Sequence, residues 1–244
     1  MSGRLQNYRV VITGAGRDFG RALGICFARL GAEVFLSSRN VSDVEQIRSE
    51  LVQEGLDNIH VFPCDLSNPA SIVQFASTVA NITSGIDILI NNGAGWLEGE
   101  DIEAASDEEI INTITSGSAG LVLMVKHFLP LLRNSSKPDI VNMVSSAAFA
   151  NDYHCRGHAA FYASKGGQGR AAQILSHRLR PLGIRVISLY PPDFENNDPR
   201  DVRWAEHRRS SQDRLTAQSL IECVVFAVSQ PRDCFIKAFE FETI

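Results

Sequence analysis

The sequence predicts a single doubly wound α/β domain with a mostly parallel seven-stranded sheet and three helices on each face. Two observations carry this prediction. Short apolar runs alternate in regular order with stretches whose apolar residues recur at helical spacing, and a glycine-rich turn joins the first run to the first helix. At 244 residues the chain is long enough for one substantial core. We therefore expect one domain over residues 1–244.

Each element is predicted from one of two patterns, a short apolar run for a strand or apolar residues at helical spacing for a helix. Runs of β-branched and aliphatic residues predict strands at 10–12, 32–36, 60–63, 86–90, 138–144, 184–190 and 235–241. Apolar residues spaced three or four apart predict helices at 21–30, 41–54, from Pro69 onward, and at 108–132, 158–179 and 216–229. Strand and helix alternate through most of the chain, which is typical of parallel sheets built from βαβ units.

The net charge and the cysteine content limit which binding partners and which cellular compartment we expect. The net charge of −5 and the lack of a basic cluster argue against a nucleic acid as the main partner. No apolar run approaches the roughly 20 residues that a membrane span needs, so we expect no membrane association and a cytoplasmic protein. The five cysteines show no CxxC spacing, which predicts reduced thiols and no metal site.

The segment 8–20 organises the rest of the chain. Its apolar residues 10–12 predict a buried strand, and Gly14, Gly16 and Gly20 follow within a few positions. A helix begins directly after this turn. Strand, glycine turn and helix in this order aim free backbone N–H groups at a phosphate, which predicts a dinucleotide site.

The tip of the second strand carries the cofactor prediction. An acidic residue at this position accepts hydrogen bonds from a free 2′-hydroxyl of the adenosine ribose, whereas a basic residue favours a 2′-phosphate. Here Ser38 and Arg39 stand at the tip, and Arg17 lies in the first loop. The sequence therefore predicts NADP (NADPH) as the cofactor. Two solvated surface arginines remain the alternative interpretation.

Polar residues also follow the third and fourth strands, at the edge where doubly wound sheets bind ligands. Asp65 is placed to accept a hydrogen bond from an adenine amino group. Alternatively, Asp65 or Ser67 caps the helix that starts near Pro69. The fourth strand runs into the polar, glycine-rich turn 91–95, with the sequence NNGAG.

Together these motifs resemble the short-chain dehydrogenase/reductase family, whose members carry a TGxxxGxG loop, an NNAG turn and a Tyr-x-x-x-Lys pair on one NAD(P)-binding fold. The resemblance covers residues 9–241 and implies an NADPH-dependent carbonyl reductase or alcohol dehydrogenase. It implies a small-molecule carbonyl or alcohol substrate, a substrate-covering segment at 193–215, and a homodimer or homotetramer. It also implies cofactor contacts from Gly14, Gly16, Arg17, Phe19, Gly20, Ser38, Arg39, Asp65, Leu66, Asn92, Gly93 and Lys165.

The chain departs from the family pattern at several of these positions. Asp18 stands where the middle glycine of the loop is usual, and the turn NNGAG has one residue more than NNAG. Gly117 falls on the position of an asparagine that holds a water in the family's proton relay. Pro192 stands where the family usually has glycine. These departures favour the alternative function, a catalytically weak or inactive nucleotide-binding or regulatory protein on the same fold.

The catalytic serine is implied at the end of the fifth strand, where its hydroxyl donates a hydrogen bond to the substrate carbonyl oxygen. Ser146 is the predicted residue and Ser145 the alternative. Either one is also explained as a strand-end serine that bonds its own backbone.

The position of the general acid also departs from the family pattern. Lys165 is present, but Phe161 stands four residues before it, where the family has tyrosine. We predict that the adjacent Tyr162 replaces the missing acid, although about 100° of helical rotation separates the two positions. Other candidates from the preceding loop are Tyr153, His154 and His158.

Overall fold

The computed structural model describes residues 3–152, 155–206 and 209–242, so the candidates Tyr153 and His154 lie outside the described residues. Its strands are β1 (Arg9–Ile12), β2 (Glu33–Ser38), β3 (Ile59–Pro63), β4 (Ile88–Asn91), β5 (Asp139–Met143), β6 (Arg185–Tyr190) and β7 (Ala238–Glu240). Its helices are α1 (Asp18–Arg29), α2 (Val41–Gln53), α3 (Pro69–Ile82), α4 (Asp107–Ile114), α5 (Gly120–Arg133), α6 (Ala159–Leu179), α7 (Val202–Glu206) and α8 (Ala217–Val228).

All seven strands pair in parallel, in the order β3-β2-β1-β4-β5-β6-β7. The chain builds the sheet outward from β1 in one direction and then returns to place β4 on the other side of β1. This reversal of strand order leaves a crevice beyond the carboxyl ends of β1 and β4, which is where doubly wound sheets bind ligands. The predicted fold class is confirmed.

The core lies in two layers, one on each face of the sheet. One layer packs α1, α2 and α8 against the sheet, and the other packs α3, α5 and the end of α6. The prediction of three helices on each face is therefore confirmed. The apolar stripes found from the sequence, such as Val44, Ile47 and Leu51 on α2, are the buried residues of these helices.

The long helix predicted at 108–132 differs from the prediction in its middle. α4 begins with a capping box in which Ser106 accepts from the backbone N–H of Glu109 and the Glu109 carboxylate accepts from that of Ser106. A π-helical turn, Thr115–Ala119, separates α4 from α5 and contains Gly117. Such turns are frequent at functional sites and leave no clear signal in the spacing of apolar residues.

Among the described residues, the continuous stretch 107–133 is long and apolar enough to cross a membrane by length and composition alone. Its side chains Leu121, Met124, Val125 and Phe128 are buried in the core, as in the central helix of a globular domain. Packing within the domain therefore accounts for part of its high hydropathy, whereas Ile111, Ile114 and Val122 on the same stretch are exposed.

The segment 193–215 is less irregular than predicted, because it contains α7. It is also tied firmly to the first two helices. The Arg21 guanidinium on α1 donates to Asp198 Oδ2 at 2.6 Å and to Glu50 Oε2 on α2 at 2.5 Å. Arg200 forms a second ion pair with Glu50 at 3.0 Å. These contacts hold the middle of the segment against the helices that flank the glycine turn.

A buried ion cluster closes the opposite end of the sheet. The carboxylate of Asp139 on β5 is fully buried and accepts two hydrogen bonds from Arg185 on β6, at 2.8 and 2.7 Å. Arg232 donates a third at 2.7 Å. Burial of this charge is tolerated because both carboxylate oxygens are paired.

We expect Arg185→Met to lower the free energy of unfolding by about 3–5 kcal/mol, because it leaves a buried carboxylate only partly paired. Arg203→Met is the matched control. It removes an exposed arginine paired with Asp201 and should cost less than about 1 kcal/mol. Urea unfolding of both variants checks the prediction. A loss for Arg185→Met no larger than that of the control would contradict it.

Candidate active site

Hydrogen bonds join the turns that follow β1 and β4. The Asn92 side-chain amide donates to the carbonyl oxygens of Thr13 and Gly14, each at 3.1 Å. The backbone N–H groups of Asn92 and Gly93 both donate to the Thr13 hydroxyl, also at 3.1 Å. A Cβ atom on Gly14 would lie 2.5 Å from Gly93 Cα, and one on Gly20 would overlap the Gly14 carbonyl oxygen. The turns therefore approach too closely for side chains at these positions.

Asp18, which stands where the family pattern has a glycine, has a left-handed backbone conformation. Its φ of +48° is left-handed, a conformation that aspartate tolerates better than most residues. The neighbouring Gly16 is not among the glycines with positive φ, so the left-handed turn lies at position 18 itself. The Asp18 side chain is 66% exposed and pairs with Arg17 at 3.6 Å, so its carboxylate is directed to solvent.

The adenosine end of the predicted cofactor site is a narrow opening, here called the mouth, between the glycine turn and the tip of β2. A Cβ atom on Gly16 would lie 2.6 Å from the Ser38 hydroxyl and 2.9 Å from Asp43 Cβ. Arg17 and Arg39 are both exposed beside this mouth, and Arg39 forms no ion pair with any described residue. The residues predicted for this end are thus brought together.

Asp65 and Leu66 occupy the neighbouring edge. Asp65 Oδ1 accepts from the backbone N–H and the hydroxyl of Ser67, at 2.9 and 2.7 Å. Asn68 caps α3, so the alternative that Asp65 or Ser67 caps this helix is wrong. The Leu66 side chain packs against Gly93, 2.6 Å from where a Cβ atom there would lie.

Lys165 lies on the second turn of α6 and is almost completely buried. Its ammonium donates to the carbonyl oxygen of Met143, at the end of β5, at 3.0 Å. It lies 5.6 Å from the centre of the Phe161 ring. Burial lowers the pKa of Lys165 to about 8, and the charge of Cys155 acts in the opposite direction. The lysine can therefore exchange a proton near neutral pH.

Phe161 and Tyr162 point in different directions, as helical geometry requires. Phe161 faces the cleft described below and packs edge-to-face on Trp96, with 4.6 Å between ring centres. The Tyr162 hydroxyl instead donates to the Cys155 carbonyl at 2.9 Å and accepts from the Cys155 N–H at 3.1 Å. Tyr162 does not line the cleft. Its catalytic role stays a prediction, and this position counts against it.

The two candidate serines follow β5. The Ser145 hydroxyl caps the short turn Ser146–Ala148 by accepting from Ala147 N–H at 3.2 Å, and it donates weakly to Pro191 O at 3.5 Å. The Ser146 backbone N–H donates to the same Pro191 carbonyl at 2.9 Å. Both serines line the cleft, so the choice between them stays open.

Gly117 stands at the position of the family's relay asparagine, and two side chains of α6 lie against it. Gln168 on α6 donates from Nε2 to the Gly117 carbonyl oxygen at 3.2 Å. A Cβ atom on Gly117 would overlap the Ser164 hydroxyl. Neither that hydroxyl nor Gln168 Oε1 has a hydrogen-bond partner among the described residues. His158 caps α6 through Nδ1 and is buried away from the cleft, so it does not join the site.

A cleft of about 1350 Å³ opens beyond the carboxyl ends of the strands. It brings together Phe19, Asn92, both serines, Phe161 and Lys165, and the segment 193–215 forms one wall with Asp193, Phe194, Asn196 and residues 211–214. Sequence reasoning missed Trp96, Phe149 and Cys155, which also line it. Loop residues such as these carry no periodicity, so only the tertiary structure reveals them.

Comparison with known proteins agrees with this geometry. An uncharacterised oxidoreductase of Staphylococcus aureus (strain N315) is 25% identical over 222 residues, which are 91% of each chain. A metagenomic short-chain oxidoreductase solved with NADP superposes with a TM-score of 0.78 at 25% identity, over 97% of both chains. A 3-ketoacyl-(acyl-carrier-protein) reductase of Brucella melitensis solved with NADH has the same fold, with a TM-score of 0.81 at 23% identity over 97% of both chains.

The sequence model of the short chain dehydrogenase family matches residues 8–203, well over half of the chain. The matched range contains the glycine turn, the turn after β4, both serines and Lys165. Fold, site and sequence therefore agree that this chain belongs to the short-chain dehydrogenase family of oxidoreductases.

Proposed function

We propose that the protein is an NADPH-dependent carbonyl reductase, working in the other direction as an alcohol dehydrogenase. The observation that carries this proposal is the placement of Lys165 and the two serines on one cleft, directly beside the glycine turn. A reductase of this kind needs a hydrogen-bond donor for the developing alkoxide and a proton donor, both next to a nicotinamide.

The described residues fit a dinucleotide. Gly14, Gly20 and Gly93 leave a close-packed turn with no side chain in the way, and α1 presents its N-terminus there. We assign the 2′-phosphate to Arg17, Ser38 and Arg39, supported by the exposure of both arginines beside Gly16. When bound, the nicotinamide exchanges a hydride with the carbonyl carbon.

The chain's own groups would then act on the oxygen. The hydroxyl of Ser145 or Ser146 donates a hydrogen bond that stabilises the negative charge as it develops. We assign the proton to the Lys165 ammonium, because Phe161 has none to give and the Tyr162 hydroxyl is held by Cys155 outside the cleft. A lysine whose pKa is about 8 suits this task at neutral pH.

A second candidate function is a nucleotide-binding protein with little or no catalysis. Phe161 favours it, because loss of a positioned general acid typically costs on the order of 10²–10⁴ in rate. Gln168 favours it too, since its amide donates to the Gly117 carbonyl oxygen at the position where the family has an asparagine that holds a water. In this reading the cleft keeps the cofactor and binds a ligand without reducing it.

For the cofactor, we expect calorimetric titration to give tighter binding of NADPH than of NADH. Arg39→Ala should weaken NADPH binding roughly 10–100-fold and leave NADH binding nearly unchanged, because a charged hydrogen bond to phosphate contributes about 1.5–3 kcal/mol. Arg48→Ala, an exposed arginine on α2, is the control. Tighter binding of NADH, or equal NADPH affinity in Arg39→Ala and Arg48→Ala, would refute the assignment.

For the proton donor, we expect kcat/KM for ketone reduction to fall as the pH rises through about 8, since only the protonated Lys165 can donate. Lys165→Met should abolish both the activity and this dependence. Tyr162→Phe should keep the pH profile, and any loss of rate should be small. If Tyr162→Phe instead costs 10²-fold or more and flattens the profile, Tyr162 is the acid and our assignment is wrong.

Phe161→Tyr separates the two candidate functions, because it restores a phenol four residues before Lys165. If the natural protein binds NADPH tightly, reduces no ketone in a broad panel, and gains turnover in Phe161→Tyr, then the binding function is correct. If the natural protein already turns over, the reductase proposal stands, and the variant measures how much rate the tyrosine adds.

A further inference from the structure

A carboxylate lies in the mouth at the adenosine end of the predicted cofactor site. Asp43, on the first turn of α2, is half-buried, and its Oδ2 would be 3.1 Å from a Cβ atom on Gly16. The Ser38 hydroxyl would be 2.6 Å from the same atom. The mouth therefore combines the two exposed arginines described above with one negative charge that the tip of β2 itself does not carry.

Local hydrogen bonds fix the direction of this carboxylate. Asn40 Nδ2 donates to Asp43 Oδ1 at 3.0 Å, and the Ser42 hydroxyl donates to Asn40 Oδ1 at 2.9 Å. Within the described part of the chain, Asp43 Oδ2 accepts no hydrogen bond and Asp43 forms no ion pair. One carboxylate oxygen is thus held at the start of α2, and the other faces Gly16 without a partner that neutralises its charge.

The two possible cofactors respond to this charge in opposite ways. A 2′-phosphate carries a charge of about −1.5 to −2 at pH 7, so a carboxylate in the same opening repels it. Screening by salt is incomplete at such short range, because the Debye length is about 8 Å at physiological ionic strength. A free 2′-hydroxyl is instead a hydrogen-bond donor that a carboxylate accepts. One residue can therefore weaken NADPH binding and leave NADH binding unchanged or stronger.

We propose that Asp43 is a specificity-determining residue that opposes Arg17 and Arg39 and keeps the preference for NADPH narrow. This inference rests on the proposed NADPH site and adds the group that limits its selectivity. The carboxylate stands on a helix, four residues after Arg39, and so lies outside the strand tip from which the sequence predicts the cofactor. If Asp43 only stabilises the N-terminus of α2 through the helix dipole, removing its charge changes stability but not the choice of nucleotide.

The test is calorimetric titration of NADPH and NADH into Asp43→Asn. Asparagine keeps the size of the side chain and an oxygen that accepts from Asn40, and it removes the charge. We expect NADPH binding to tighten about tenfold, with NADH binding unchanged within about twofold or weaker. About 0.5 M NaCl should reduce the gain for NADPH. An unchanged NADH-to-NADPH ratio of dissociation constants, or one that falls, would overturn the proposal.

Two further variants assign the effect. Glu45→Gln removes the same charge from an exposed position on α2, and it should keep the ratio of the two dissociation constants within about twofold. An equal rise in Asp43→Asn and Glu45→Gln would indicate a general field of the domain and overturn the proposal. In an Arg39→Ala background, Asp43→Asn should still tighten NADPH binding, because the repulsion acts on the phosphate directly. Loss of the gain there would mean that Asp43 acts only through Arg39, which contradicts the proposal.

A pair of fragments keeps the inference separate from the proposed function. Adenosine 2′,5′-bisphosphate and 5′-AMP differ only in the 2′-phosphate, and their binding requires neither a nicotinamide nor turnover. If Asp43→Asn tightens binding of the bisphosphate selectively while no ketone is reduced, the reductase function is refuted and the inference stands. If the natural protein reduces ketones with NADPH and Asp43→Asn leaves the ratio of the two fragment affinities unchanged, the inference is refuted and the reductase function stands.

Discussion

The hydrogen-bonded joint between Thr13 and Asn92 is the contact on which the rest of the site depends. It ties the turn after β1 to the turn after β4, at the point where the strand order reverses. Because one hydroxyl accepts two backbone N–H groups and one amide donates to two carbonyls, the turns are fixed in both position and orientation. Two glycines, Gly14 and Gly93, then meet closely enough to leave the crevice open above them.

The rotation of α6 about its axis determines which of its side chains face the crevice. His158 caps the helix and so fixes its first turn, which sends Phe161 and Lys165 to the cleft and Tyr162 to the Cys155 loop. A shift of the helix by one residue would bring Tyr162 to the place of Phe161 and Gly166 to the place of Lys165. The phenol of Tyr162, next to Phe161 in sequence, is therefore used to hold the loop, and the cleft keeps a lysine whose pKa burial has lowered to about 8.

Sequence reasoning predicted what periodicity and turn chemistry determine, and missed what depends on packing across the fold. The parallel sheet, both helical layers and the placement of the glycine turn and the turn after β4 at the same edge of the sheet followed from patterns local to each segment. The π-helical turn at 115–119 and the short helix α7 did not, because neither changes the spacing of apolar residues. The direction of the Tyr162 hydroxyl also escaped prediction, since it depends on a loop of nonrepetitive sequence.

The contact between Gln168 and Gly117 bears on how a working site would recover its proton. In the family pattern an asparagine at the position of Gly117 holds a water that resupplies the relay. Here the Gln168 amide takes the Gly117 carbonyl, and the Ser164 hydroxyl fills the space of the missing side chain. Lys165 has its described hydrogen bond on the other side, to Met143 on β5. If Lys165 is the proton donor, as we propose, a proton lost from it would be replaced from the cleft, because its described hydrogen bond is directed away from the cleft to the Met143 carbonyl oxygen.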